Sequence, residues 1–229
     1  MTVPSPGKRG RFITFEGGEG AGKSTQIRLL ADHLSGKGVS AVVTREPGGS
    51  PGAEIVRHLV LSGVGQVLGA DSEALLFAAA RDDHVHNVIT PALEQGLWVL
   101  CDRFTDSTRV YQGKLGSTDI NLIRAMERVT IGDLKPDLTI ILDVPTEVGL
   151  ARAAKRRGKE APDRFEAEDF GFHQRLRDAY RQVAVDEPER CILIDATTEV
   201  DVTAKHVWNV VQQRFVELRE AHLLETNGA

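Results

Sequence analysis

Five short, mostly apolar runs lie at 11–16, 39–45, 97–102, 138–144 and 191–195, with longer stretches of mixed character between them. In the first long stretch Ile27, Leu30 and Leu34 recur three and four residues apart, the spacing that gathers one face of an α-helix. The segment Ala74-Leu75-Leu76-Phe77-Ala78-Ala79-Ala80-Arg81 is helical by composition. Strand and helix alternating in this order predict βαβ units. The expected fold is therefore α/β, a three-layer, doubly wound parallel sheet of about five strands with helices on both faces. Leu138-Thr139-Ile140-Ile141-Leu142 is apolar at nearly every position, as a strand covered on both faces must be.

The 229 residues suit one such domain. Residues 1–10 read as a disordered leader, 11–219 as the domain and 220–229 as a polar tail. No run approaches the ~18 apolar residues of a membrane span. The formal net charge of −5 argues against general nucleic-acid binding, which needs a basic face. Any positive charge that does chemistry must then be local. Cys101 closes one strand-like run and Cys191 begins another, which places them at opposite edges of a parallel sheet. Reduced thiols and a cytoplasmic setting follow more simply than a disulfide.

Between the first run and the first helical stretch stands Gly17-Gly18-Glu19-Gly20-Ala21-Gly22-Lys23-Ser24, which fits G-x-x-x-x-G-K-[ST]. Glycines let successive backbone N–H groups turn onto phosphate oxygens, and the following helix adds the positive end of its dipole. Lys23 reaches the β/γ-phosphates, the Ser24 hydroxyl suits Mg²⁺, and Thr25 continues the turn. The segment 17–25 is thus expected to bind a nucleoside triphosphate.

Ligands of an open parallel sheet bind beyond the carboxyl ends of its strands. Two more strands end there in polar clusters, Arg45-Glu46-Pro47-Gly48-Gly49 and Asp102-Arg103-Phe104, and all three ends should meet in one cleft. Asp102 suits Mg²⁺, directly or through water, and Arg103 suits an acceptor phosphate. An ion pair capping the strand is the competing reading. Phe77 and Arg81, four residues apart on one helix face, could stack on and hydrogen-bond a planar base, although a core Phe beside a surface Arg fits as well. Ser107, Thr108, Tyr111 and Gln112 follow a turn into a helix, with Thr108, Tyr111 and Gln112 on one face.

The strongly basic segment runs from Ala151 to Arg164 and contains Gly158 and Pro162, which favour an irregular, mobile loop. It could be a closing lid that delivers arginines to a phosphoryl transfer, or a solvated basic helix end. Arg81-Asp82-Asp83-His84-Val85-His86 has no clustered partner ligands and reads as helix surface rather than a metal site.

Taken together these residues resemble the bacterial thymidylate kinase family over nearly the whole chain. The resemblance rests on Phe15-Glu16-Gly17 running into the phosphate loop, Thr44-Arg45-Glu46-Pro47-Gly48-Gly49, and Leu76-Phe77-Ala78-Ala79-Ala80-Arg81. It continues through Asp102-Arg103-Phe104 and Ser107-Thr108-Arg109-Val110-Tyr111-Gln112, all in the family's order. It implies a P-loop NTPase-like fold, ATP as phosphoryl donor, dTMP as acceptor, dTDP and ADP as products, Mg²⁺ and a homodimer. It also implies that Phe77 stacks on thymine, Arg81 bonds its carbonyl edge, and Thr108 and Gln112 help to read the base. Tyr111 would pack against the sugar where a ribose 2′-OH would intrude, and Glu19 would meet the 3′-hydroxyl. Arg103 would hold the acceptor phosphate, with Arg45, Pro47 and Ser107 shaping its pocket.

Some members of that family carry a catalytic arginine in the phosphate loop, and others supply it from the lid. This loop has Gly18, Glu19, Gly20 and Ala21 at its variable positions. The charge is therefore expected from a lid around 152–164, from Arg157 and Arg164 first and Arg156 in reserve. Phe104 departs from the Tyr of many members, and the lid is slightly long. Competing functions are a kinase for another nucleotide or deoxynucleoside, and a nucleotide-binding switch without catalysis.

Overall fold

Glu16 ends a strand whose five residues are all buried, and the phosphate loop begins directly after it. This strand, β1 (Phe12–Glu16), is joined by β2 (Ala41–Arg45), β3 (Trp98–Asp102), β4 (Leu138–Asp143) and β5 (Cys191–Asp195). The computed structural model describes residues 9–63, 67–159, 161–215 and 218. Apart from Arg9 and Gly10, the expected leader and the tail at 220–229 lie outside the described residues.

All pairings are parallel, in the order β2-β3-β1-β4-β5. Phe12 stands opposite Val99, and Ile13 opposite Leu138. Nine α-helices surround the sheet among the described residues: α1 (Lys23–Gly36), α2 (Pro51–Leu61), α3 (Ala70–His84), α4 (Thr90–Glu94), α5 (Thr105–Thr108), α6 (Ile120–Thr130), α7 (Thr146–Arg157), α8 (Phe170–Asp186) and α9 (Val200–Arg214). Successive strand residues point to opposite faces. Ile13 and Phe15 accordingly join Leu30 and Leu34 of α1 and Val207 and Val211 of α9. Phe12 packs on the other face with Val85, Ile89 and Phe104. Apolar side chains on both faces of β1 and β4 explain why these central strands read as continuous apolar runs.

Two π-helical turns interrupt the expected α-helices, Val85–Ile89 between α3 and α4, and Arg109–Lys114 directly after α5. The Arg81–His86 segment, which runs from the end of α3 into the first of these turns, is only partly the helix surface expected of it. Asp82 and His86 do lie outside, joined by a hydrogen bond from the His86 ring to the Asp82 carbonyl. Arg81, His84 and Val85 are buried. His84 is held between Thr44 (2.7 Å) and Glu46 (3.1 Å), so the helix turns that side inward.

The basic segment also differs from the irregular loop expected of it. Residues 151–157 continue α7, and the helix ends where Gly158 takes a left-handed φ of 65°. Alanines 151, 153 and 154 favour the helix, and three basic residues in its last turn suit the negative end of its dipole. Only the part from Gly158 onward is irregular.

The chain leaves β1 at the point where the sheet order reverses, with β3 on one side and β4 on the other. That is where an open α/β sheet forms its ligand crevice.

Candidate active site

The phosphate loop is fixed by glycine at two close approaches. A Cβ on Gly20, whose φ is 66°, would overlap the Gly149 carbonyl, and a Cβ on Gly149 would overlap the Glu19 carbonyl. The loop and helix α7 thereby interlock, backbone against backbone. Lys23, at the start of α1, is buried, and its Nζ donates to the carbonyls of Gly17 (3.1 Å) and Gly18 (2.9 Å). Burial and the neighbouring Arg103 lower its pKa, against the pull of Asp102 and Glu19. The Ser24 hydroxyl donates to Asp102 Oδ2 at 2.7 Å, across from β3. Two hard oxygen donors side by side, at the mouth of a phosphate loop, fit a magnesium ion.

Directly after β3 the backbone turns through Arg103, which has a φ of 71° and is the one non-glycine residue at positive φ among the described residues. Such a conformation costs on the order of 1–3 kcal/mol and persists only where neighbours over-determine it. Here Arg103 N donates to Phe15 O (2.9 Å), and the next amide, Phe104 N, donates to Glu16 Oε1 (2.8 Å). Phe104 itself packs edge-on against Phe12 at 4.9 Å, so the position that departs from tyrosine is filled by core packing. The corner aims the Arg103 guanidinium at Glu19 Oε1 (2.7 Å) and stacks it over the Tyr111 ring at 5.1 Å. Asp102 and Arg103 therefore have separate partners and do not pair with each other to cap the strand.

A cavity of about 400 Å³ opens over this corner. Its walls bring together loop residues Glu19 to Thr25, the turn residues Arg45 and Pro47, and Asp102 and Arg103. Phe77 and Arg81 of α3 line it as well, with Ser107, Thr108, Tyr111 and Gln112. The three strand ends do meet in one cleft. Gly17 and Gly18 lie outside this lining and border a smaller cavity beside β4. Arg81 is less free than a surface residue: its Nε donates to Glu46 Oε2 (2.8 Å), and its Nη2 to Phe104 O (3.1 Å) and Thr108 Oγ1 (3.0 Å). Thr108, Tyr111 and Gln112 share the cavity although the helix changes to π geometry between them.

Of the basic segment, Arg156 lines the cavity, whereas Arg157 and Arg164 do not. Arg156 Nη2 and Arg157 Nη1 both donate to Glu166, at 2.6 and 2.8 Å. Arg164 pairs with Glu73 and lies over Phe165. Of the three arginines expected from the lid, the reserve Arg156 is the one on the cavity wall, where helix α7, which runs on through Arg157, carries it.

The charges of the site reinforce one another. Burial would raise the Glu19 carboxyl, but Arg103, Lys23 and Arg156 hold it down at about 2. Burial would likewise lower the Arg103 guanidinium, but Tyr111, Tyr180, Glu19 and Glu16 raise it well above its ordinary value. The corner is a fixed cation flanked by a fixed anion across the working pH range.

Several lining residues have no role assigned to them along the chain. Arg57 reaches the cavity from α2 and donates to the Pro47 carbonyl at 2.6 Å. Glu46 joins Arg81 to His84. Asp163, Phe165 and Glu166 close the lid side. For Glu46 a hint existed, since it is a carboxylate at a strand end beside Arg45. Arg57, by contrast, depends on how α2 packs on α3.

A P-loop fold whose cavity extends from the phosphate loop across a wall of polar side chains defines a phosphotransferase acting on a small acceptor. The model of the family described as thymidylate kinase matches residues 15–207. The chain is 69% identical over 213 residues to a thymidylate kinase of Nitrobacter winogradskyi, covering 93% of each chain. It is 68% identical over 208 residues to one from Bradyrhizobium diazoefficiens, covering 91% of each. The crystal structure of a thymidylate kinase from Ehrlichia chaffeensis is similar, with a TM-score of 0.70 and 37% identity over 89% of this chain and 99% of that one. This chain belongs to the thymidylate kinase family.

Proposed function

We propose that this chain transfers the γ-phosphoryl group of ATP to dTMP, giving dTDP and ADP. The observation that carries the reading is the single cavity in which a complete phosphate loop, the Asp102–Arg103 corner and the Phe77 ring meet, in a chain of this family. The donor triphosphate lies along residues 17–25, where backbone amides and Lys23 take its charge. Ser24 and Asp102 would hold Mg²⁺, which when bound would neutralise charge on the donor phosphates. Arg103 grips the acceptor phosphate through its planar guanidinium, with Arg45, Pro47 and Ser107 around it. Phe77 stacks on thymine, Arg81, Thr108 and Gln112 address its polar edge, and Tyr111 and Glu19 meet the sugar.

An acceptor phosphate oxygen is already ionised at neutral pH, so the protein supplies alignment and charge rather than a strong base. The transferring group spreads negative charge over its oxygens, and arginines of a lid at 152–164 compensate it. Arg156 is best supported for that role by its place on the cavity wall. Arg157 and Arg164 join it when their pairs with Glu166 and Glu73 exchange for phosphate.

One kinase domain over 11–219 acts in the cytoplasm, a setting supported by two buried free thiols. No helix among the described residues is long and apolar enough to cross a membrane. A homodimer is supported by exposed Ile55 and Leu59 on α2, Leu75 on α3 and Val129 on α6, helices that pack side by side.

Phosphoryl transfer measured to dTMP, dUMP, dCMP and thymidine tests the assignment, with dTMP expected to be turned over fastest. Faster turnover of thymidine would overturn it. ATP binding without any dTDP formation would favour a switch.

A further inference from the structure

Beneath the acceptor corner lies a buried carboxylate that the reaction as written does not use. Glu16 closes β1 and has no exposed surface. Its Oε1 accepts from two backbone amides, Phe104 N (2.8 Å) and Ser107 N (3.3 Å). Its Oε2 accepts from two hydroxyls, Ser107 Oγ (2.7 Å) and Tyr180 OH (3.0 Å). The same two hydroxyl oxygens receive Arg103 Nη1, at 3.3 Å from Ser107 and 2.9 Å from Tyr180. Glu16, two hydroxyls and Arg103 thus form a layered relay in which carboxylate and guanidinium never touch.

We propose that Glu16 is a positioning residue for Arg103, and that its ionised form orients the Ser107 and Tyr180 hydroxyls so that both accept from the arginine. A hydroxyl has one proton to give and two lone pairs to offer. The two hydroxyl oxygens also lie 2.9 Å apart; an ionised Glu16 has no proton and draws both hydroxyl protons to Oε2 in preference to that contact, so both oxygens present lone pairs to Nη1. A neutral Glu16 must place its proton on Oε2, because Oε1 faces two amide donors. That proton takes up a lone pair of Ser107 or Tyr180 and removes the charge behind them, so the hold on Arg103 weakens. The two amide bonds meanwhile brace the backbone just beyond the left-handed Arg103.

The charged and titratable groups facing Glu16 come from several neighbouring elements. They are Arg103, Asp106 and Cys101 at and beyond the end of β3, Lys23 on α1, Tyr111 on the π turn and Tyr180 on α8. Burial and Asp106 raise the Glu16 carboxyl to about 7, against the lowering pull of Arg103 and the bonds from Ser107 and Phe104. Its ionisation therefore falls within the working range. Burial and Glu16 also raise the Tyr180 phenol well above its usual value, so Tyr180 keeps the proton it gives to Glu16.

The inference rests on Arg103 holding the acceptor phosphate. An incoming phosphate also repels the Glu16 charge, and the guanidinium between them outweighs that repulsion in this scheme. The sign of the pH effect is thus part of the test. The KM for dTMP and for ATP is measured from pH 6 to 8.5 in wild type, Glu16→Gln and Tyr180→Phe.

Glutamine cannot ionise, and its amide mimics the neutral acid toward the hydroxyls. The variant-to-wild-type ratio of dTMP KM should be about tenfold at pH 8.5, the scale of one lost hydrogen bond to a charged group, and should shrink toward one at pH 6. Protonation of dTMP itself cancels in that ratio. The ATP KM stays unchanged, and adding Tyr180→Phe to Glu16→Gln costs little more. A ratio constant with pH, one rising toward acid, or fully additive penalties would overturn the proposal. If Glu16→Gln fails to fold, Tyr180→Phe, which keeps the buried ring, must show the same shrinking ratio. Arg103→Lys separates the two levels. Should it leave the dTMP KM unchanged, the reading of Arg103 fails; should it raise KM while the Glu16 ratio is flat, only this inference fails.

Discussion

Arginines stand on two sides of one cavity and are held by different physics. On the acceptor side Arg103 is 16% exposed and lies among half-buried partners, Glu19, Ser107 and the Tyr111 ring, and the buried Tyr180. On the lid side Arg156 is 62% exposed and shares one carboxylate, Glu166, with Arg157, while Arg157 and Arg164 are more shielded. A buried, multiply bonded cation is costly to displace, since every bond lost leaves a partner unsatisfied away from water. An exposed ion pair contributes about 0–1 kcal/mol and exchanges readily. A group that must grip the same phosphate in every turnover suits the first environment. Groups that must arrive for the transfer and then leave suit the second.

The largest expected effect comes from breaking the lid side. Arg156→Ala should lower kcat on the order of a thousandfold, the low end of what a delivered arginine contributes, with a much smaller change in the dTMP KM. Arg157→Ala and Arg164→Ala should also lower kcat more than they weaken dTMP binding, and by less than Arg156→Ala. Steady-state kinetics of the three variants decide the order. A normal kcat in all three would remove the lid arginines from the reaction.

Breaking the fixed side should show the opposite signature. Arg103→Lys keeps the charge but loses the planar fork, and the dTMP KM should rise roughly ten- to a hundredfold. If kcat fell and KM did not, Arg103 would belong with the lid group instead.

Phe77→Ala sharpens the acceptor side further. Stacking of a base on an aromatic ring contributes about 1–3 kcal/mol, so dTMP binding measured by calorimetry should weaken about tenfold or more. ATP binding should hardly change.

The smallest effect concerns stability and pH. Glu16 has a folded pKa raised from 4.5 to about 7, so folding favours its neutral form. The stability linked to it is complete below the unfolded value and is lost as pH rises through about 7. Thermal unfolding should therefore show Glu16→Gln gaining on wild type as pH rises from 5 to 8. Glu19, held down at about 2, should act in reverse, its contribution present above 4.5 and lost only toward strong acid.

Much of this was legible along the chain, because short-range chemistry dictates it. The five apolar runs match the five strands within two residues at each end. The phosphate loop needs only its own glycines, lysine and serine between a strand and a helix. The helix of Phe77 and Arg81 follows from alanine-rich composition. Other features were not legible. Arg81 reads as a surface residue until Glu46 and Phe104, from distant strand ends, close around it. The reach of α7 through Arg157 was obscured by Gly158 and Pro162, whose effect begins one residue later. The π turns shift side chains by a fraction of a turn, which no simple periodicity anticipates.

By itself, the sequence determined a parallel α/β sheet, a nucleotide-phosphate loop, and the strand ends from which an acceptor site had to be built. These depend on residue type, period and spacing, which act over a few neighbours. Tertiary structure alone decided which arginine is half-buried among several partners and which is exposed, and that Glu16 stands behind Arg103 through two hydroxyls. Those outcomes depend on burial, which is a property of what packs overhead. Tyr180 lies 164 residues from Glu16 and meets it only because α8 packs against the sheet.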